Sequence, residues 1–187
     1  MKNIFINNYL DEVKNIADSI STQDIENFIE KIRIIKNNNG RLFFIGVGGS
    51  AGNASHAVND FRKILNIESY AITDNVSELT ARINDDGWET SFSNWLKTSR
   101  LNFNDGIVIF SVGGGTENTS KNIVKAIDCA KERNAKVLSI VSRDGGYSKI
   151  NSDACILIPV MSQERITPHA EEWQAILWHL VVTYLKD

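Results

Sequence analysis

Cysteine and proline are scarce in this sequence of 187 residues, which contains only two of each. Cys129 and Cys155 fall in separate predicted elements, which favours buried, reduced thiols over a disulfide or a thiol nucleophile. Few prolines leave little room for a linker, and the length suits one domain. We therefore predict a single domain over residues 1–187, with an N-terminal helical segment at 1–39 and a core at 40–187.

Long hydrophobic runs and clusters of basic residues are also missing. No stretch approaches the roughly 20 apolar residues of a membrane span, and the N-terminus lacks the apolar core of a signal peptide. We therefore expect a cytoplasmic protein with no membrane partner. The net charge of −3 and the absence of a Lys/Arg block argue against a nucleic-acid partner. A small-molecule substrate is expected instead.

The sequence does contain short apolar runs that alternate with helix-like segments. Apolar spacing predicts helices at 3–20, 24–37, 51–65, 76–84, 88–99, 119–133 and 170–186, with Ser21 or Thr22 as the N-cap of the second. Strands are predicted at 41–47, 69–73, 106–112, 135–142 and 154–160. The run at 137–141 is too uniformly apolar for a sheet with one wet face. We predict an α/β fold, a three-layer αβα sandwich around a five-stranded parallel sheet.

Two of the predicted strands end in glycine-rich loops that lead into helices. The first loop has glycines at 46, 48 and 49 followed by Ser50, and the second runs from Gly113 to Ser120. Glycines allow a close backbone approach, and a helix N-terminus offers free N–H groups and a favourable dipole to an anion. We expect phosphate to bind here, although tight turns alone would also need glycine. Ligands of open parallel sheets bind at this carboxyl edge, where residues 73–75, 142–146 and 162–172 are also expected because each segment follows a strand.

Histidine is also scarce, with three in the chain, and two of them have acidic neighbours at helical spacing. His56 and Asp60 are four residues apart, and Glu171 and Glu172 precede His179 by about two turns. Each set lies on one helix face. We predict a shared functional site, while a surface or core role stays open for any single histidine.

The residues around the first loop resemble a known family. Residues 46–60, GVGGSAGNASHAVND, are similar to the GNGGSAADAQHFAAE motif of phosphoheptose isomerases, members of the sugar isomerase (SIS) superfamily. Residues 73–85 resemble their TTDTSALSAIGND stretch, residues 110–120 resemble their phosphate loop, and residues 170–179 resemble their IQE…H helix. The resemblance covers nearly the whole chain from about residue 40. It implies a SIS domain of flavodoxin-like, nucleotide-binding topology preceded by N-terminal helices.

The resemblance also implies a reaction and a role for single residues. Asp60 and His179 match the family's catalytic glutamate and histidine, a general base and a general acid that move a proton between C1 and C2 through an enediol. The reaction would interconvert sedoheptulose 7-phosphate and D-glycero-D-manno-heptose 7-phosphate for surface polysaccharide. The implied substrate-binding residues are Ser50, Asn53, Asp74, Ser111, Gly113, Gly114, Thr119, Ser120 and Glu171. Zinc, which some family members bind, would be held by His56, Asp60, Glu171 and His179.

The chain departs from the family pattern at both ends of the expected site. Asp60 is one methylene shorter than the family's glutamate, and Glu171 replaces a glutamine and adds a negative charge. Both changes favour a cation between the histidines. In the phosphate loop, Val112 and Gly113 stand where the family has Thr and Ser. Fewer hydroxyl groups are therefore expected to face the phosphate.

Two other functions stay open at this point. A noncatalytic or regulatory sugar-phosphate-binding module would keep the serines without needing Asp60 or His179. A dinucleotide fingerprint, Gly46-x-Gly48-x-x-Ala51, is weakened because no acidic residue ends the next strand about 20 residues later. The resemblance further implies a homotetramer with sites between subunits, to which His169 could contribute.

Overall fold

The computed structural model describes residues 2–186 and confirms the α/β architecture. The strands are β1 (Leu42–Ile45), β2 (Ser69–Ala71), β3 (Gly106–Ser111), β4 (Lys136–Val141) and β5 (Ala154–Leu157). They form one parallel sheet in the order β2-β1-β3-β4-β5. The helices are α1 (Lys2–Ser19), α2 (Thr22–Asn37), α3 (Gly49–Lys63), α4 (Val76–Asp86), α5 (Ser91–Thr98), α6 (Lys121–Glu132), α7 (Gly146–Asn151) and α8 (Ile166–Leu185).

The alternation of side chains along the central strands creates two cores, one on each face of the sheet. On β1, Leu42 and Phe44 join buried residues of α2, α3 and α8. Phe43 and Ile45 point to the other face and pack with α5 and α6. All four β1 residues are buried, as every residue of β3 is. The predicted three-layer sandwich, in which helices cover both faces of the sheet, is therefore confirmed.

The largest differences from the predicted helices are the start of α8 and the presence of α7. Helix α8 begins at Ile166 rather than at 170, because Pro168 lies in the first helical turn, where its missing N–H costs nothing. The six-residue helix α7 was not predicted, since so short a segment shows no apolar periodicity. The N-cap of α2 is Ser21, whose hydroxyl accepts from the Asp24 amide at 3.1 Å.

The two N-terminal helices differ in how deeply they pack. Helix α2 buries a full apolar face between β5 and α8. Over residues 3–19, helix α1 buries only Ile16 and leaves Ile4, Phe5, Ile6 and Leu10 more than half exposed. Within residues 2–186, no helix combines the length and hydropathy that a membrane crossing requires.

Candidate active site at the carboxyl edge of the sheet

The loop between β3 and α6 has the geometry of an anion-binding turn. Ser111, buried at the end of β3, accepts a hydrogen bond from the Gly114 amide at 3.0 Å. Gly114 and Gly115 have backbone φ angles of 69° and 82°, which residues other than glycine rarely adopt. Ser120, with φ of 54°, leads directly into α6. The loop thus presents hydroxyl groups beside the positive end of the α6 dipole.

A cavity of about 930 Å³ opens beside this loop. Five of the predicted substrate residues line it: Ser50, Ser111, Gly113, Thr119 and Ser120. Three further lining residues, Arg143, Gln163 and Thr167, were not singled out from the sequence. They lie in the segments 142–146 and 162–172, which were expected at this edge because each follows a strand, but no motif marks the single residues. Asn53, Asp74, Gly114 and Glu171 are outside the cavity lining within the described part of the chain.

The first turns of α3 are tied to α8 by a small polar network. The Ser50 hydroxyl accepts from Gln174 Nε2 at 3.1 Å, and Asn53 Nδ2 donates to Gln174 Oε1 at 2.9 Å. Asn53 Nδ2 also donates to the Glu171 carbonyl oxygen at 2.9 Å. Gln174, fully buried, is a contact that the sequence did not reveal. Asn53 therefore fixes α8 against α3 in this structure.

The Glu171 carboxylate lies against Gly49, in the first turn of α3. A Cβ on Gly49 would be 2.5 Å from the Glu171 carboxyl carbon, so only glycine fits without moving that side chain. A negative charge at this position already faces the positive helix end. We infer that the N-terminus of α3 is a poorer phosphate site than that of α6. Asp74, also expected to contact sugar, accepts from Ser55 Oγ at 2.6 Å.

Two to three turns further along, α3 and α8 bring an aspartate and two histidines together. Asp60 Oδ2 lies 3.7 Å from His56 Nε2 and 3.4 Å from His179 Nε2. Potential ligand atoms of the three residues lie within 4.8 Å of one another. The Asp60 side chain is 11% exposed, while both histidine side chains are about half exposed. The predicted meeting of His56, Asp60 and His179 is therefore present.

Hydrogen bonds fix the orientation of these groups. Trp178 Nε1 donates to Asp60 Oδ2 at 3.1 Å, and Asn59 Nδ2 donates to Asp60 Oδ1 at 3.0 Å. His179 Nδ1 lies 2.8 Å from the Ala175 carbonyl oxygen and must donate to it. A neutral His179 consequently presents the lone pair of Nε2 to Asp60. Two acceptors at 3.4 Å repel each other unless a proton or a cation lies between them.

Glu171 lies outside this cluster in the structure. It precedes His179 by eight residues on α8, a rise of roughly 12 Å, and its carboxylate faces Gly49 instead. The structure thus brings three of the four predicted metal ligands together. Participation of Glu171 as a fourth ligand stays a prediction.

Comparison with known proteins identifies the family. The sequence profile of the SIS domain matches residues 8–142, which span α1 to the end of β4. A phosphoheptose isomerase of Helicobacter pylori is 31% identical over 149 residues, which cover 77% of this chain and 73% of the relative. The chain belongs to the SIS domain family and, within it, to the phosphoheptose isomerases. A phosphoheptose isomerase of Aneurinibacillus thermoaerophilus is 27% identical over 99% of this chain and 94% of the relative.

A solved structure agrees on the fold of this SIS domain. The phosphoheptose isomerase from Neisseria gonorrhoeae superposes with a TM-score of 0.86 at 24% identity, covering 98% of this chain and 97% of that one. The coverage includes α8, which lies beyond the matched SIS profile and carries His179. The fold of the candidate site is therefore shared over its whole length.

The two cysteines and most of the tryptophans have packing roles in the SIS fold. Cys129 and Cys155 are free thiols, and burial raises the pKa of both. Trp95, Trp173 and Trp178 are buried, whereas Trp88 is 40% exposed.

His169 is buried away from the cavity, between α1 and α8. Its Nε2 lies 2.8 Å from Glu12 Oε2 and its Nδ1 lies 3.2 Å from Glu172 Oε2. Arg165 donates twice to the Glu12 carboxylate, at 2.6 and 2.8 Å. Within this subunit, His169 therefore helps attach α1 to the start of α8.

Proposed function

We propose that this chain interconverts sedoheptulose 7-phosphate and D-glycero-D-manno-heptose 7-phosphate in heptose biosynthesis for surface polysaccharide. One observation carries the proposal: the Asp60 and histidine cluster lies along α3 from an anion-binding cavity, in a chain that belongs to the phosphoheptose isomerases. His56 follows Ser50 by six residues, a rise of roughly 9 Å, which suits the length of a seven-carbon sugar. A noncatalytic module is not favoured, because the relatives carry the name of an enzyme.

The phosphate end of the substrate fits the loop before α6. Ser111, Thr119 and Ser120 line the cavity there, and the α6 dipole favours an anion. Gly113 lines the same cavity and offers its backbone amide, and Gly114 fixes the loop. The hydroxyl groups of the sugar then extend along α3 toward Asn53, Asp74 and Glu171. These assignments follow the family pattern and the placement of the loop.

The reacting carbons belong at the other end, beside Asp60 and His179. The Asp60 carboxylate removes a proton from C1 of the ketose, and the carbonyl oxygen at C2 takes a proton from His179, which gives the enediol. Return of a proton to C2, with loss of the proton from the C1 hydroxyl, completes the aldose. The hydrogen bonds from Trp178 and Asn59 hold the carboxylate in one orientation for both transfers.

The cluster also fits a zinc ion. Two imidazole nitrogens and a carboxylate oxygen are a common ligand set of catalytic zinc, which keeps a further position open. His56, Asp60 and His179 would hold the ion, with Glu171 as the fourth ligand implied by the family pattern. Zinc on His179 Nε2 would take the place of the proton that His179 donates in the metal-free cluster. Bound zinc supplies Lewis acidity that polarises a substrate carbonyl. The Ala175 carbonyl then orients His179 through Nδ1.

A homotetramer in the cytoplasm completes the proposal. Helix α1 supports it, because its apolar residues Ile4, Phe5, Ile6 and Leu10 are largely exposed in the single chain. A neighbouring subunit would cover this face and complete the site between subunits.

Conversion of sedoheptulose 7-phosphate, followed by NMR, tests the function. Asp60→Asn and His179→Gln should each lower turnover at least a hundredfold, since general acid and base groups contribute roughly 10² to 10⁴. Asp18→Asn, an exposed change on α1, is the matched control and should keep full turnover. A chelator arm with zinc added back measures the metal requirement. Full turnover in Asp60→Asn would disprove the assigned base, and no turnover by the unaltered protein with or without zinc would disprove the isomerase function.

A further inference from the structure

The loop between β4 and α7 lies directly against the phosphate loop. The Ser142 amide donates to the Val112 carbonyl at 3.1 Å, and the Tyr147 amide donates to the Gly115 carbonyl at 2.9 Å. Ser148 donates twice to the Gly114 carbonyl, from its amide at 2.9 Å and from its hydroxyl at 2.7 Å. These four bonds fasten the two loops together. A side chain on the β4–α7 loop is therefore held at a fixed position relative to the phosphate loop.

Arg143 is the side chain that this loop presents to the cavity. It is the only lysine or arginine among the described residues that line the cavity, and its guanidinium has no hydrogen-bond or ion-pair partner within residues 2–186. It lies beside the loop before α6, since a Cβ on Gly113 would be 3.8 Å from Arg143 Cδ. The nearby Asp144 carboxylate is engaged by the Gly146 amide at 3.1 Å. The guanidinium is thus available to an anion in the cavity.

The backbone of Arg143 is an unusual one for its residue type. Its φ of 56° lies in the left-handed region, where glycine and asparagine are favoured. Residues in such conformations persist at sites where the surrounding structure holds them, and they concentrate where ligands bind. The neighbouring Gly146 is packed against the phosphate loop, because a Cβ there would meet the backbone of Gly113, Gly114 and Gly115.

We propose that Arg143 binds the phosphate group of the substrate from the β4–α7 loop and makes the site selective for phosphorylated over free sugars. The inference rests on the proposed function and adds a phosphate-binding residue that lies outside the glycine and serine motifs. The phosphate loop itself offers few side-chain donors, because Val112 and Gly113 have no hydroxyl groups. An additional donor from the β4–α7 loop would compensate for them. A guanidinium offers a planar fork of N–H donors and a full charge, which suits phosphate.

Titration with inorganic phosphate tests the assignment without relying on turnover. Arg143→Gln should weaken phosphate binding about ten- to a hundredfold, the usual value of a charge-assisted hydrogen bond. Arg143→Lys should keep part of the affinity, because it retains the charge and loses the fork. Arg100→Gln is the matched control: Arg100 also has a left-handed backbone, with φ of 53°, and is exposed outside the cavity. Melting temperatures of all three variants verify that they fold.

Kinetics with sedoheptulose 7-phosphate separates this inference from the proposed function. Arg143→Gln should raise KM about tenfold or more and change kcat little, since the phosphate lies far from the reacting carbons. An Arg143→Gln variant with unchanged phosphate affinity and unchanged KM would overturn the role of Arg143 while leaving the isomerase intact. Phosphate binding that depends on Arg143 in a protein without turnover would instead support the role of Arg143 and overturn the reaction.

Discussion

Gly114 is the position where the phosphate loop tolerates least change. It combines a φ of 69° with direct contact to the β4–α7 loop, and a Cβ there would lie 2.7 Å from the Gly145 carbonyl carbon. The obstacle is backbone, which cannot swing aside as a flexible side chain can. Gly114→Ala therefore carries a conformational cost of about 1–3 kcal/mol and an overpacking cost of about 1–3 kcal/mol.

Gly87 isolates the first of these two costs. It has a φ of 85°, and no atom lies within 4 Å of a Cβ built there. Gly87→Ala should thus be destabilised by the conformational cost alone. At roughly 2–4 °C per kcal/mol for a chain of this size, Gly114→Ala should melt roughly 2–12 °C below Gly87→Ala.

Thermal unfolding followed by circular dichroism measures this difference, and phosphate titration measures its effect on the site. Gly114→Ala should also lose phosphate affinity, because the added methyl group pushes the two loops apart, whereas Gly87→Ala should bind normally. Equal melting temperatures for the two variants would refute the steric reasoning. Normal phosphate binding by Gly114→Ala would refute the coupling of the two loops.

Three further outcomes are expected. The Arg165 hydrogen bonds lower the pKa of Glu12 from 4.5 to about 2. The ionised Glu12 carboxylate therefore contributes its full stabilisation of the folded chain above about pH 4.5, and this contribution is lost as the pH falls toward 2. Acid melts of Glu12→Gln should accordingly show a smaller pH dependence than those of the unaltered chain; parallel curves would contradict this. Trp178→Phe removes the donor to Asp60 and should lower kcat about tenfold with little change in KM, as steady-state kinetics will show; an unchanged kcat would contradict an orienting role. Asp105→Asn disrupts the buried ion pair with Arg41 and should cost about 3 kcal/mol in urea unfolding without loss of turnover in the folded protein; a stable variant would show that the pair contributes little.

The sequence was sufficient for the sheet, for seven of the eight helices and for the two glycine loops. Short, uniformly apolar runs separated by helical segments predict buried parallel strands, because both faces of such strands are covered. The structure confirms this for β1 and β3. The pairing of His56 with Asp60 was also accessible, since a spacing of four residues places both on one helix face. That His179 meets them depends on how α3 and α8 pack. Acidic neighbours at helical spacing favoured a shared site, and the family resemblance assigned His179 to it.

Other parts of the site have no local signal in the sequence. Arg143 is a single charged residue in a loop, and its place in the cavity follows from bonds between loops that are about 30 residues apart. Gln174 is a buried polar residue whose partners, Ser50 and Asn53, lie on a distant helix. The orientation of Glu171 toward Gly49 depends on the same packing. Such contacts are products of tertiary structure, which periodicity cannot reveal.

Helix α8 joins four tasks in one rigid element. Its first turn lines the cavity, His169 receives α1, Gln174 holds Ser50, and His179 faces Asp60, all within 20 residues. A helix transmits displacement along its axis, so a change in the seating of α1 would reach the acid–base pair without a separate relay. If subunits assemble through the exposed apolar face of α1, dilution that separates them would alter the alignment of His179. Specific activity would then decrease as the protein is diluted.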